Sequence, residues 1–249
     1  VHCNQKISEG NYNEATVNLL RTSLKRIKSL WQFASYFSKY REKKFDNSCI
    51  KKLFKSAAVL RDYQVAEKII LRKRKVENYR DFLSDLRANQ EIGKRILQNG
   101  IKEFNFKDLD FVFSSLLSVL KYDTTEHLEN KIQDLFYTKI RILSEHLEQC
   151  CDDESFHKAR IKVKELIFFM EIFDEKSEKK SPLPKMGMKM GRWHDRVILL
   201  EKINDFLEKS VNNLPENYTQ TAKKLYSENS RKMKELKCEL VEILKRNPK

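Results

Sequence analysis

Apolar residues recur along most of this chain at steps of three and four, the spacing of one face of a helix, and no stretch reads convincingly as a strand. From Tyr12 to about Tyr40 the stripe is Val17, Leu20, Leu24, Ile27, Trp31, Ala34 and Phe37. A second helix is expected from about Asn47 to Arg72, with Ile50, Leu53, Phe54, Ala57, Ala58 and Val65 on its buried side. The basic run Arg72 to Lys75 ends it, where positive charge suits the helix dipole. A third helix covers 77–98, and Gly93 and Gly100 are expected to loosen its end. Shorter apolar stretches follow at 108–121. Asp123-Thr-Thr-Glu126 reads as a capping box that opens a helix to about Gln149. The acidic cluster Asp152-Asp153-Glu154 introduces another from about Ser155 to Phe173, because carboxylates are favoured beside unpaired amides of a first turn. Glu175 to Lys185, interrupted by Pro182 and Pro184, is the best linker candidate. Residues 185–209 return to helix, Asn213 to Pro215 is a turn, and 216–245 is a final amphipathic helix. The expectation is an all-α fold of about eight helices with mostly antiparallel neighbours.

Composition strengthens that expectation. The 249 residues contain five Gly and four Pro, and neither occurs in 11–92 or 101–181. Turns needing positive φ are therefore scarce, which argues against a glycine-rich α/β enzyme or a β-sandwich. Charge adds a different constraint. The chain carries a net +14, unevenly spread: residues 1–80 have 19 basic and 7 acidic residues, whereas 81–160 have 11 and 15. An excess segregated in this way points to a positive surface or cleft built by particular elements, suited to a polyanion. No long uncharged apolar run exists, so no membrane span is expected. Val1 to Gly10 is polar and no apolar segment of a secretion signal follows. Cys3, Cys49, Cys150, Cys151 and Cys238 form no C-x-x-C pair, and fit reduced thiols of a cytoplasmic protein better than a disulfide framework.

The informative feature is an internal repeat. Val17-Asn18-x-x-Arg21-x-x-x-Lys25-x-Ile27 aligns with Phe156-His157-x-x-Arg160-x-x-x-Lys164-x-Leu166 at an offset of 139 residues. Each copy runs on into an aromatic-rich apolar stretch, and each is followed 37 to 44 residues later by a basic or imidazole residue next to Asp, Arg61-Asp62 and His194-Asp195. On a helix, Arg21, Lys25 and Lys28 occupy one narrow stripe bordered by Asn18 and lying beside the apolar face. Several cationic heads can then converge on one groove while their stems pack against neighbours. His157, Arg160 and Lys164 repeat the placement, but Ile167 answers Lys28 and Glu165 answers Arg26. The bland alternative is that these cations only solubilise a bundle through pairs one turn apart. Against it, neither Arg21, Lys25 and Lys28 nor Arg160 and Lys164 have an acidic residue three or four positions away.

With these residues in view, the chain resembles the CHAD domain family, the conserved-histidine α-helical domains. The resemblance implies two pseudo-symmetric antiparallel helical bundles packed around a basic central groove or channel that binds inorganic polyphosphate. The family's first signature falls on Val17, Asn18, Arg21, Lys25, Arg26 and Lys28, and its second on His157, Arg160, Ile161, Lys164 and Leu166. Its Arg-Asp motif falls on Arg61-Asp62, preceded by a basic position at Lys55, and the matching Gly-x-x-His-Asp on Gly191, His194 and Asp195. Asn18 stands where the first signature has histidine, and the second copy lacks the basic residue expected at Ile167. One domain over 1–249 is implied, with halves at approximately 12–149 and 155–245.

The functional expectation is binding without catalysis. Polyphosphate would be met by Asn18, Arg21, Lys25, Arg26, Lys28, Lys55, Arg61, His157, Arg160, Lys164 and His194, through charge-assisted contacts from Arg forks and mobile Lys heads. Asp62 and Asp195 are read as orienting or structural groups. His2, His127 and His146 have no motif support and are read as surface residues. No cofactor is expected and no metal: the chain has no H-x-x-H, H-E-x-x-H or cysteine pair, and nearby arginines would repel a divalent cation. Nucleic acid is the rival partner that charge alone permits, although no helix-turn-helix, zinc-finger or RNA-recognition signature supports it. A helical protein-interaction scaffold is the third reading, with a face such as Ala222, Leu225 and Leu236 on the final helix. The expected location is cytoplasmic, with association to polyphosphate granules left open.

Overall fold

The computed structural model describes residues 10–37, 48–105, 125–173, 181–209 and 216–245, together with helical positions at 107, 109, 110, 113, 114 and 117. Among these, every regular element is helical. They are α1 (Glu14–Phe37), α2 (Ser48–Leu71), a 3-10 turn (Val76–Tyr79) running into α3 (Arg80–Lys102), α4 (Thr125–Glu148), α5 (Asp153–Phe173), α6 (Leu183–Lys209) and α7 (Glu216–Lys245). The Asp123 cap, the side chains of Trp31, Ala34 and Phe37, residues 175–180 of the linker and the turn at 213–215 lie outside the described residues.

The helix starts show their local causes. Asn13 accepts from the Thr16 amide at 2.9 Å and caps α1. Asp152, the first residue of the acidic cluster, is the cap of α5. Its carboxylate accepts from the Ser155 amide at 2.7 Å, while the Ser155 hydroxyl accepts from the Asp152 amide at 3.2 Å, a reciprocal box with serine in the third position. The Ser155 hydroxyl and then its amide hold the Asp152 carboxyl below the ordinary carboxylate value. Pro184 sits in the first turn of α6, where its missing N–H costs no intrahelical bond, so the helix starts at Leu183, two residues earlier than the prolines suggest.

The chain divides into two compact units, Val1–Tyr122 with Glu201–Asn217, and Asp123–Leu200 with Tyr218–Lys249. Leu143 and Leu147 of α4 join the core of the second unit.

In the first unit α1, α2 and α3 pack as antiparallel neighbours around Val17, Leu20, Leu24, Ile50, Leu53, Ala57, Leu60, Leu97 and Phe104. Each fully buried large aliphatic side chain contributes about 1.5–3 kcal/mol. Gln64 donates to the Tyr12 carbonyl at 2.8 Å, and Lys68 reaches both carboxylate oxygens of Glu14. Gly93 is a packing residue and does not loosen its helix. A Cβ there would lie 2.9 Å from the Leu60 Cα, and α3 continues through it to Lys102.

In the second unit α4 and α5 form an antiparallel pair with Phe136 stacked on Phe169, centroids 6.1 Å apart. The core adds Met186, Met190 and Trp193 from α6 and Met233, Leu236, Leu240 and Leu244 from α7. Lys237 donates to the Cys150 carbonyl and Lys189 pairs with Glu239, tying α7 to this unit. His146 is no free surface residue: its Nε2 lies 2.8 Å from the Ser155 carbonyl, so that nitrogen carries the proton and bridges the end of α4 to the start of α5.

Candidate functional site

In the first unit the cationic row stands on α1. Arg21 and Lys25 are half-buried beside the apolar stripe of Leu20 and Leu24, while Asn18, Arg26 and Lys28 are exposed. The Arg21 guanidinium lies 4.4 Å from the centroid of Phe54 on α2, and the Lys25 ammonium 5.5 Å from the same ring. One aromatic ring therefore holds two neighbouring cations, each by about 0.5–2 kcal/mol. Phe54 is half-buried, not fully part of the core, and its role is invisible in periodicity, which places it only on an inward-leaning face. Lys55 follows it and is exposed.

Farther along α2, Arg61 is only 17% exposed and lies 3.8 Å from the carboxylate of Asp62. Asp62 also acts electrostatically on Lys202 in the part of α6 that belongs to this unit. The Lys202 ammonium stands 4.9 Å over Tyr63 and 2.9 Å from Asp205. Burial disfavours its charge, but the Asp205 hydrogen bond, Tyr63 and the carboxylates outweigh that and hold its pKa above the ordinary lysine value. In the basic run after α2, Lys73 leans on Tyr79, 4.9 Å from the ring centroid.

In the second unit the row stands on α5. His157, Arg160 and Lys164 are all half-buried. His157 and His194 meet with their Nδ1 atoms 3.3 Å apart and their ring centroids at 4.5 Å. In the neutral pair one Nδ1 donates and the other accepts. Directly behind them Phe156 and Trp193 meet edge to face at 4.9 Å, both almost fully buried. That core contact sets the register of α5 against α6 and brings the two histidines, 37 residues apart in sequence, into contact. Asp195 is half-buried beside His194 in sequence.

The same antiparallel register places Gly187 of α6 against Lys164. A Cβ on Gly187 would lie 2.6 Å from Ile167 Cδ1 and 3.4 Å from the Lys164 ammonium. Ile167 is 5% exposed and belongs to the core. Desolvation first, then the charge of Arg160, push the Lys164 pKa below the ordinary lysine value, with Glu171 opposing.

Each unit thus presents a row of nitrogen donors along one helix edge, backed by an aromatic or aliphatic wall, which suits an extended anion contacted through several charge-assisted hydrogen bonds. The CHAD domain model matches residues 9–201, more than half of the chain and including both rows. The protein belongs to the CHAD domain family. Neither the curated proteins nor the solved structures provide a match. The CHAD match ends before α7, although α7 supplies four buried side chains to the core of the second unit. Among the described residues of this CHAD protein, no group of three or more His, Cys, Asp and Glu side chains is arranged to hold a metal ion, and no helix is long and apolar enough to cross a membrane.

Proposed function

We propose that this CHAD domain binds inorganic polyphosphate and does not transform it. The observation that carries the reading is Arg21 and Lys25 held together over Phe54, with His157, Arg160 and Lys164 at the repeat-related positions of α5. Polyphosphate is a flexible chain charged at every unit. It can follow a helix edge and take one donor after another, with no nucleophile or proton relay needed for binding. Arg21 suits the role because a guanidinium stacks on an aromatic face through its plane and still offers edge N–H groups to phosphate oxygens. The basic channel with contributions from both halves, the inorganic polyanion as partner and the cytoplasmic location belong to the same proposal.

The deciding experiment is competition between long-chain polyphosphate and duplex or single-stranded nucleic acid at several salt concentrations. Both ligand classes lose affinity with salt through counterion release, so attraction at low salt does not discriminate. Polyphosphate is expected to stay preferred at moderate salt. Replacing Arg21, Lys25 and Arg160 together is expected to remove most of that preference with the fold intact, whereas neutralising Lys73, Arg74 and Lys75 weakens both ligands alike. Equal losses from the two sets refute a specific site. Tighter binding of nucleic acid than of a polyphosphate of comparable charge replaces the reading with the rival one, and repeated turnover of polyphosphate lost in the Arg21 or His157 variant makes the protein an enzyme.

A further inference from the structure

The two rows hold their equivalent lysines in different ways. Lys25 lies near the face of Phe54, where a ring quadrupole favours the charged form. Lys164 has an aliphatic neighbour and a stretch of bare backbone instead, Ile167 on its own helix and Gly187 on α6. Ile167 occupies the position that Lys28 fills in the first copy; Lys28 is exposed, whereas Ile167 is buried. A methyl at 187 would overlap Ile167 Cδ1 and touch the ammonium, so the end of the Ile167 side chain, and with it the ammonium, would have to move. Gly191, one turn later on the same face of α6, is a different case, because a Cβ there would meet nothing within 4 Å.

We propose that Gly187, together with Ile167, is a positioning residue for Lys164: the clearance left by the glycine is where Ile167 Cδ1 and the ammonium lie side by side, fixing the point at which that charge is offered to a polyanion. The proposal rests on the polyphosphate reading of the preceding subsection. The lowered pKa of Lys164 accords with it, since the aliphatic wall keeps water from one side of the ammonium. The charged groups acting on that ammonium are Arg160 and Glu171 of α5, and the facing turn of α6 contributes the uncharged backbone of Gly187.

The test uses the full chain with Gly187→Ala, Gly191→Ala as the matched change one turn away, and Ile167→Val, which removes only the Cδ1 methyl. Two measurements are made: the pH titration of the Lys164 side chain by NMR, identified from the resonance lost in Lys164→Met, and the affinity for long-chain polyphosphate. Gly187→Ala is expected to move the titration and to weaken polyphosphate binding about tenfold, the loss of one well-placed charge-assisted contact. Ile167→Val is expected to move the titration toward ordinary lysine, and this judges the proposal should Gly187→Ala fail to fold. Gly191→Ala is expected to change neither measurement by more than about twofold, as its added methyl meets no neighbour. An unmoved Lys164 titration in both Gly187→Ala and Ile167→Val overturns the proposal, as does an equal effect of Gly191→Ala. Wild-type protein that binds no polyphosphate overturns the functional reading instead, and the positioning of Lys164 is then judged by its titration alone.

Discussion

Replacing Gly93 by alanine probes the close approach of α2 and α3 that supports the Arg61-Asp62 pair. The new Cβ would stand 2.9 Å from the Cα of Leu60 and 3.2 Å from both its Cβ and its amide nitrogen. Non-bonded carbons rest at about 3.5–4.0 Å, so the overlap is more than half an ångström. All three atoms belong to or adjoin the main chain, and no rotamer change can withdraw them, so one helix must shift. Overpacking of this kind costs about 1–3 kcal/mol. Alanine returns about 1 kcal/mol through its better helix propensity. The net expectation is a loss of up to about 2 kcal/mol, or a fall in the urea midpoint of up to about 0.7 M for a slope near 3 kcal/mol/M.

Gly100→Ala, in the same helix, supplies the comparison. Its Cβ would meet the Ser56 hydroxyl at 2.7 Å and Ser56 Cβ at 3.0 Å, and that hydroxyl donates to the Lys52 carbonyl at 3.0 Å. The hydroxyl can rotate away for about 0.5–1.5 kcal/mol; Ser56 Cβ cannot and must give by a few tenths of an ångström, a smaller displacement than the backbone of Leu60 requires, and the gain in propensity offsets part of the cost. Urea titrations of the two variants followed by circular dichroism should therefore rank Gly93→Ala below Gly100→Ala. If Gly93→Ala were equally or more stable, the tight α2–α3 contact would be refuted. Because Leu60 immediately precedes Arg61, the Gly93 variant is also expected to bind polyphosphate more weakly than Gly100→Ala.

Phe54→Leu keeps apolar bulk but removes the ring under Arg21 and Lys25, and should cost about 1–2 kcal/mol of stability by loss of two cation–π contacts, read as a lower urea midpoint; polyphosphate affinity should fall severalfold, and an unchanged affinity would exclude the ring as organiser of the row. Lys164→Met tests linkage: the folded protein gives up the Lys164 proton at lower pH than the unfolded chain, so the unfolded chain binds more protons in that window and wild-type stability from this group rises toward pH 10.5. The stability difference between Lys164→Met and wild type should therefore shrink as pH rises, and a difference independent of pH contradicts the desolvated lysine. Asp152→Asn keeps a capping oxygen without the charge; the lowered folded pKa of Asp152 means that its contribution is present above the ordinary carboxyl value and lost as pH falls through the folded one, so the variant should show a shallower loss of stability on acidification.

Much of the helical outline was legible in the sequence, because burial on one side of a helix leaves a period of about 3.6 residues in any amphipathic segment. Val17, Leu20 and Leu24 are buried as that period demands. Less legible was which helix each face meets. Gly93 reads as a break in an isolated helix, and only the proximity of Leu60 turns it into a contact residue. Phe54 reads as core, because its stripe does not reveal that two cations from another helix lie above it. His146 looks unmotivated until the hairpin between α4 and α5 brings the Ser155 carbonyl to it. The residues of each cationic row were readable because repetition at a fixed offset is a property of sequence; their supporting neighbours were not, being distant in sequence and drawn from other helices.

The internal repeat therefore retains the positions of the charges but not the way they are held. On α1 the row rests on an aromatic ring, and its outer members Arg26 and Lys28 are exposed. On α5 the row begins with a paired imidazole and ends with a lysine against Ile167 and Gly187. An arginine stays charged at any working pH, and a lysine near an aromatic face is favoured as the cation. A desolvated ammonium, by contrast, resists its charge, and imidazole is the side chain that ordinarily changes charge near neutral pH. Affinity supplied by the first row should then depend mainly on salt, whereas affinity supplied by the second should also depend on proton concentration. Measuring polyphosphate affinity against pH separates the contributions. In Arg21→Gln/Lys25→Gln protein, where the second row dominates, binding should weaken as pH rises through the imidazole range, because the histidine pair then loses its proton; in His157→Gln/Lys164→Gln protein the profile should be flat across that range. Profiles of the same shape in the two variants would show that the rows are electrostatically equivalent despite their different packing.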